Sequence, residues 1–220
     1  MRSFDSLRSL KMTLMTSLYV RIVVMASKKL RIGFDFDGVI AYNPLRVLRA
    51  PVMSLRNLLR KKDDPIFPVP QTKPFRFLWA LAHETSFYPS YGLSNLKKLM
   101  KEGKVEGYLV TGRYSFLESS LLKWLKKHGL ESAFKGIYLN RENKQPHLFK
   151  EEMINKLKLD MFVEDNWDIV SYLSERFKKS SKKVDIHWIY NLLDRTKPYQ
   201  KKYPHLKKFI DTVTRQDDTR

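Results

Sequence analysis

From residue 30 onward, short apolar runs alternate with amphipathic stretches, and this alternation limits what the chain can fold into. The apolar runs include LRIGFDF, VEGYLVTGR and DMFVED, while LSNLKKLMKEGK and WDIVSYLSERFKK place apolar residues at helical spacing. Apolar strands that alternate with helices form parallel sheets whose two faces are both covered. We therefore predict an α/β fold with a doubly wound, Rossmann-like parallel sheet.

One long interval interrupts this rhythm after the first strand. Residues 42–90 contain two further helical stretches, LRVLRAPVMSLRNLLRKK and FRFLWALAHET, separated by the proline-rich DDPIFPVPQTKP. Pro51 interrupts or kinks the first stretch, and the proline-rich part is expected to be extended. We predict a small helical cap at 42–90, inserted into a core formed by residues 30–41 and 91–195.

The predicted cap has a basic half and an aromatic half. The basic residues are Arg46, Arg49, Arg56, Arg60, Lys61 and Lys62. They form either a solvated helix face or a lid that helps to hold an anion. Phe75 and Trp79 are four residues apart and share one helix face, whereas Phe77 points elsewhere. This pair either packs in the core, as is usual at this spacing, or stacks a base.

The two ends of the chain differ from this core. Residues 1–29 have Asp5 as their only acid, and their longest uncharged stretch, 12–20, is far shorter than the roughly 20 apolar residues of a membrane-spanning helix. We treat them as an N-terminal extension without a membrane span, and whether residues 1–24 belong to the mature protein stays open. Residues 196–220 form a basic C-terminal tail with one predicted helix, which either packs on the sheet or binds a partner.

Charge and the absence of cysteine narrow the function classes. The chain has 42 Lys and Arg against 23 Asp and Glu, and its net charge of +19 favours anionic partners such as phosphate esters, nucleotides or nucleic acid. Without cysteine, a metal must be held mainly by oxygen, and a reducing, cytoplasmic location is expected. The five histidines show no zinc-ligand spacing, and neither a P-loop nor GxSxG is present, which disfavours kinases and serine hydrolases.

Polar side chains follow three of the predicted strands at the points where the strands end. Asp35 and Asp37 end the first strand, Thr111 ends the second and Asp165 ends a later one. In doubly wound sheets, ligands bind beyond the carboxyl ends of the strands. One acid at such a position is explained by ordinary capping of the next helix. Acids at several strand ends favour a common site.

These segments resemble the four motifs of the haloacid dehalogenase (HAD) superfamily of phosphohydrolases. The motifs are FDFDGV at one strand end, LVTGR at a second, Lys150 at a helix start and FVEDNWD at a third strand end. The resemblance covers residues 30 to about 190, and DGV with the paired acids is most similar to the 5'-nucleotidase-like members. It implies a magnesium-dependent phosphomonoesterase that works through an aspartyl-phosphate intermediate.

The resemblance also implies a role for each catalytic residue. Asp35 attacks phosphorus and forms the acylphosphate. Asp37 protonates the leaving oxygen and then accepts a proton from the hydrolytic water. Thr111 donates its hydroxyl to the phosphoryl group, and Lys150 is the fixed cation that lets Asp35 and the phosphate approach one another. Together these residues meet the needs of phosphoryl transfer for a nucleophile, charge neutralisation and a proton donor.

Magnesium suits a site built from oxygen ligands. The resemblance implies Asp35, the main-chain carbonyl of Asp37 and Asp165 as direct ligands. Glu164 is a further candidate ligand, and Glu164 and Asp168 act either on the metal directly or behind its ligands. The family often has Asp or Gly where Glu164 stands, so its longer side chain leaves the ligation open.

Two assignments have competitors within the sequence. Lys150 is preferred to the nearby Lys144 and Lys156 because it opens the amphipathic run KEEMINKLK, which places it at a helix start facing the strand ends. Gly112 and Arg113, in the TGR segment, are predicted to bind substrate, although Arg113 could instead only close the turn.

The leading hypothesis is hydrolysis of a nucleotide or another small phosphate ester. One alternative is a phosphatase for nucleic-acid 3' ends, because GIYLNRENKQPHLFKEEMI is also similar to the phosphatase domain of polynucleotide kinases and +19 suits a backbone ligand. Another is a non-catalytic binding module on the same fold. The substrate and the oligomeric state are not specified by the sequence.

Overall fold

A computed structural model describes residues 29–43, 67–84, 86 and 88–217 of the chain. Its strands are β1 (Leu30–Phe34), β2 (Ala41–Tyr42), β3 (Tyr88–Pro89), β4 (Val105–Tyr114), β5 (Gly136–Asn140), β6 (Met161–Glu164), β7 (Asp185–Ile189) and β8 (Lys202–Tyr203). Its helices are α1 (Lys73–Glu84), α2 (Leu93–Lys101), α3 (Glu118–Lys127), α4 (Pro146–Lys156), α5 (Trp167–Lys179) and α6 (Leu206–Asp217). Short 3-10 turns lie at Ser115–Leu117 and Leu192–Asp194.

Six of these strands form one parallel sheet in the order β5-β4-β1-β6-β7-β8. The chain builds outward from β1 to β4 and β5, then returns to place β6, β7 and β8 on the other side. β1 is therefore central, and the reversal of strand order opens a crevice at its carboxyl end. The predicted doubly wound α/β fold is confirmed.

Helices cover both faces of the sheet and bury an apolar cluster on each. Helices α2, α3 and α6 pack one cluster, which includes Phe34, Leu96 and Phe209. Helices α4 and α5 pack the other, which includes Phe162 and Trp188. Each large side chain fully removed from water contributes about 1.5–3 kcal/mol, so these two layers fix the strand ends firmly in place.

The predicted insertion leaves and rejoins the core through a small antiparallel ladder. Ala41 of β2 pairs with Pro89 of β3, and the Ser90 amide donates to the Ile40 carbonyl at 3.0 Å. Helix α1 lies within the insertion. The basic stretch 44–66, with the first predicted cap helix, lies outside the described residues, as does the extension 1–28.

The structure refines several predicted boundaries. Helix α4 begins at Pro146, so Lys150 lies one turn into the helix and on its buried face. The predicted C-terminal helix is confirmed as α6, and it packs beside α2, while β8 extends the sheet. Within the described part of the chain, no helix is both long and apolar enough to cross a membrane.

Candidate active site

The loop after β1 carries the first two predicted catalytic residues into the crevice. The Asp35 amide still donates to the Val163 carbonyl of β6 at 2.9 Å, so the sheet itself fixes this residue. The chain then turns at Gly38, which has φ of +81°. A Cβ on Gly38 would lie only 2.3 Å from Asp165 Oδ2, so glycine is required both for the turn and for the close approach of Asp165.

Lys150 joins two carboxylates at the end of the central strands. Its Nζ lies 3.0 Å from Asp35 Oδ2 and 2.6 Å from Glu164 Oε2, and all three side chains are buried. The other oxygen of Glu164 accepts hydrogen bonds from the amides of Asp165 at 3.2 Å and Asn166 at 3.0 Å. Glu164 therefore holds both the lysine and the loop that carries Asp165.

Asp35, Glu164 and Asp165 form a compact acidic cluster. Each offers a carboxylate oxygen, and these atoms lie within 4.8 Å of one another. Burial, followed by repulsion from Asp35, raises the pKa of Glu164 to about 8 against the opposing effect of Lys150. Burial likewise raises the pKa of Asp35. Burial alone would lower the pKa of Lys150, but the two carboxylates outweigh it and raise that pKa.

The cluster fits a hard divalent cation. Its donor set is entirely oxygen, and three neighbouring carboxylates outnumber the single ammonium of Lys150 within it. Burial is the main cause of the raised pKa values of Asp35 and Glu164, and repulsion from neighbouring carboxylates adds to it, so a bound cation would offset part of this cost. Asp168 lies outside this group, where its amide donates to the Asn166 side chain.

Asp37 lies in a different setting. Arg113 donates from Nε to Asp37 Oδ2 and from Nη2 to Oδ1, each at 2.8 Å. The Ser86 hydroxyl donates to the same Oδ1 at 2.6 Å. The Arg113 guanidinium also lies over the Phe36 ring, 4.5 Å from its centroid. All four side chains are buried, and Arg113 contacts Asp37 in this structure, while its predicted contact with substrate stays a prediction.

Thr111 and Gly112 lie where β4 becomes irregular. Pairing with β5 shifts register between Thr111 and Tyr114, and this irregular stretch contains Gly112 and Arg113. Thr111 is buried, and its hydroxyl accepts from the Arg113 amide at 3.2 Å. A Cβ on Gly112 would come within 2.9 Å of the Pro146 side chain, so this glycine lets the start of α4 approach the strand. A direct contact of Gly112 with substrate stays a prediction.

The two competing lysines are more exposed than Lys150. Lys144 is partly exposed and pairs with Glu142 and Glu152, at 3.0 and 2.8 Å, and Lys156 is exposed. Only Lys150 of the three candidates contacts the acidic cluster. Ser86 was not predicted, because a serine between a cap helix and a short strand carries no sequence signal for contact with a residue 49 positions earlier.

The aromatic half of the insertion contacts the end of β4 through Trp79. Phe75 stacks on Trp79 with ring centroids 6.5 Å apart, and Trp79 lies 6.4 Å from the Tyr114 ring. Phe77 is exposed at 68%, but Phe75 is also exposed at 49%, so the expectation that the Phe75 and Trp79 pair packs in the core is wrong for Phe75. Tyr114 donates from its hydroxyl to the Pro68 carbonyl at 3.3 Å, and burial raises its pKa to about 12. These contacts tie the insertion to the end of β4, beside the site.

Comparison with known proteins finds similar folds among solved structures but no similar sequence. No protein-family model and no curated protein sequence matches the chain. Its structure is similar to a protein of Bacteroides fragilis assigned as a haloacid dehalogenase-like hydrolase, with a TM-score of 0.53 and 13% identity over 82% of this chain and 99% of that one. It is also similar to a Thermotoga maritima protein assigned as a beta-phosphoglucomutase, with a TM-score of 0.53 and 12% identity over 84% and 99%.

A third similar structure contains a metal. YfnB of Bacillus subtilis, assigned as a HAD hydrolase and bound to magnesium, matches with a TM-score of 0.51 and 12% identity over 86% of this chain and 100% of that one. At these identities the similarity shows the fold. The chain has the Rossmann-like α/β fold of the HAD-superfamily hydrolases.

Proposed function

We propose that the protein is a magnesium-dependent phosphomonoesterase that works through an aspartyl-phosphate intermediate. The observation that carries the proposal is the buried cluster of Asp35, Lys150, Glu164 and Asp165 at the carboxyl ends of the central strands. An acid with a lysine ammonium 3.0 Å away and two further acids beside it is suited to receive a phosphoryl group and a cation together.

Asp35 is the proposed nucleophile. One of its oxygens forms the bond to phosphorus while the bond from phosphorus to the leaving oxygen breaks. Lys150 lowers the repulsion between the carboxylate and the phosphate, and Glu164 keeps the lysine in place. The Thr111 hydroxyl is proposed to donate to a phosphoryl oxygen.

Asp37 is the proposed acid and base. It gives a proton to the leaving oxygen in the first step, and in the second it takes a proton from the water that attacks phosphorus and releases phosphate from Asp35. Asp35 and Asp165, with the main-chain carbonyl of Asp37, would hold a magnesium ion whose charge stabilises the phosphoryl oxygens.

A nucleotide or another small phosphate ester is the proposed substrate. The resemblance of DGV and the paired acids to 5'-nucleotidase-like proteins supports a nucleotide, and the similarity to a protein assigned as a beta-phosphoglucomutase supports a sugar phosphate. The net charge of +19 favours a second candidate, a nucleic-acid 3'-end phosphatase. Activity on 3'-phosphorylated oligonucleotides that falls steeply with salt would identify the second candidate.

Phosphate release tests the proposal. The panel contains nucleoside 5'- and 3'-monophosphates, sugar phosphates and 3'-phosphorylated oligonucleotides, each assayed with magnesium or EDTA. We expect magnesium-dependent release that is lost in Asp35→Asn and kept in the control Asp185→Asn, whose carboxylate pairs with Lys201 at the opposite edge of the sheet. Release that persists in Asp35→Asn would contradict the mechanism. A folded protein inactive on every substrate would favour a binding module.

A further inference from the structure

Two separate parts of the chain contact the Asp37 carboxylate. Arg113 comes from the irregular end of β4 and supplies two hydrogen bonds, one to each carboxylate oxygen. Ser86 comes from the end of the insertion, between α1 and β3, and supplies a third. None of the three side chains is exposed. The Asp37 carboxylate thus accepts three hydrogen bonds from two parts of the chain that are far apart in sequence.

The two donors restrict different motions of the carboxyl group. A guanidinium that donates from two nitrogens is coplanar with its carboxylate, so Arg113 fixes the plane of Asp37. The Phe36 ring beneath the guanidinium, and the bond from the Arg113 amide to Thr111, fix Arg113 in turn. Ser86 adds a short bond to Oδ1 and so distinguishes the two oxygens of Asp37.

We propose that Arg113 and Ser86 are positioning residues that hold the Asp37 carboxyl group in the orientation required for proton transfer to the leaving group. This inference rests on the proposed phosphatase function and deepens it. It also gives the insertion a part in the chemistry, because Ser86 belongs to the insertion and not to the core. It gives Arg113 a role that differs from the predicted contact with substrate, and the experiment below distinguishes the two.

The proton balance of the first step provides the test. As the bond between Asp35 and phosphorus forms, the bond to the leaving oxygen breaks and its electron pair stays on that oxygen. An alkoxide is too basic to leave unaided, so it takes the proton from Asp37, whereas a nitrophenolate leaves as the anion. Misplacing Asp37 should therefore slow the cleavage of alkyl phosphates and spare aryl phosphates.

The experiment measures kcat/KM, which reports the steps through departure of the leaving group, for 4-nitrophenyl phosphate and for alkyl esters such as glycerol 3-phosphate and a nucleoside 5'-monophosphate. In Arg113→Lys we expect a loss of about 100-fold on the alkyl esters but of only about threefold on the aryl ester. In Ser86→Ala we expect the same selectivity with an alkyl loss of about tenfold. Ser86→Thr, which keeps a hydroxyl, should restore activity.

Ser120→Ala is the matched control, because its hydroxyl bonds only to the Leu117 carbonyl at the start of α3 among the contacts described. If Arg113 binds the phosphate instead, Arg113→Lys will lower kcat/KM equally for all esters, and that result would overturn the inference. If Arg113→Lys fails to fold by circular dichroism, the comparison of Ser86→Ala with Ser86→Thr decides. A wild-type protein inactive on every ester would overturn the proposed function itself, before any variant is compared.

Discussion

Asp35 and Asp37 stand two positions apart and are equally buried, at 6% and 7% exposure, but their surroundings are opposite. Asp35 lies among acids and shares one lysine with Glu164. Asp37 is matched by a guanidinium and a hydroxyl. A single residue, Phe36, thus separates a site with surplus negative charge from one in which charge is compensated. The first suits a cation and a phosphoryl group, and the second suits a carboxyl group that must stay in one orientation.

The largest effect is expected when Lys150 is removed from the acidic cluster. Lys150→Met leaves Asp35 and Glu164 buried without their shared cation, and breaking such a pair costs about 3–5 kcal/mol of unfolding free energy. We expect that loss in urea unfolding, together with loss of phosphate release. Lys144→Met, which removes only solvent-screened ion pairs, should cost far less unfolding free energy. Equal losses in the two variants would contradict the contrast.

Magnesium should stabilise the folded protein by binding at the acidic cluster of Asp35, Glu164 and Asp165. At a concentration 100 times its Kd, a ligand specific for the folded state adds about 2.7 kcal/mol, which a thermal melt with magnesium or EDTA would detect. The increase in Tm should vanish in Asp165→Asn, which loses a carboxylate of the acidic cluster, and persist in Arg113→Lys, whose side chain binds Asp37. A magnesium effect that survives in Asp165→Asn would place the cation elsewhere.

The smallest expected effect is a pH dependence of magnesium binding. Because the pKa of Glu164 is raised to about 8, the folded metal-free protein gains stability from its bound proton at low pH and loses that gain as pH rises through 8. Magnesium competes with this proton. Its affinity, measured by calorimetry, should therefore rise with pH by up to about tenfold per unit and level off above pH 8.

Glu164→Gln removes the titrating group from this competition. We expect the slope below pH 8 to flatten in this variant, while Ser86→Ala keeps it, because Ser86 contacts the compensated side. A slope unchanged in Glu164→Gln would assign the proton to another acid of the cluster.

The sequence predicts the acidic cluster around Asp35 better than it predicts the contacts of Asp37, and the reason is geometric. Asp35 and Asp165 follow apolar strands, and parallel strands bring their carboxyl ends to one edge, so pattern alone predicts their proximity. The partner of Arg113 depends on the register shift after Thr111, which no periodicity encodes. Ser86 depends on a contact across the whole insertion.

Two further features of the fold were not predicted, because the sequence carries too little pattern at these places. The two-residue strand β8 cannot show an alternating pattern, although it extends the sheet beside β7. Lys150 was predicted at a helix start, but it lies one turn inside α4, because the helix begins at Pro146, which packs closely against Gly112. The fold class needed neither detail, because it follows from the alternation of strands and helices.

The ladder of β2 and β3 has an evolutionary consequence. Since it joins the two ends of the insertion beside the core, the segment between them can lengthen or shorten at an entropic cost of only about 0.6 kcal/mol per doubling. The length of that segment can therefore change while the central strand keeps its place. Such changes are constrained chiefly at the residues just before β3, where Ser86 must still reach Asp37.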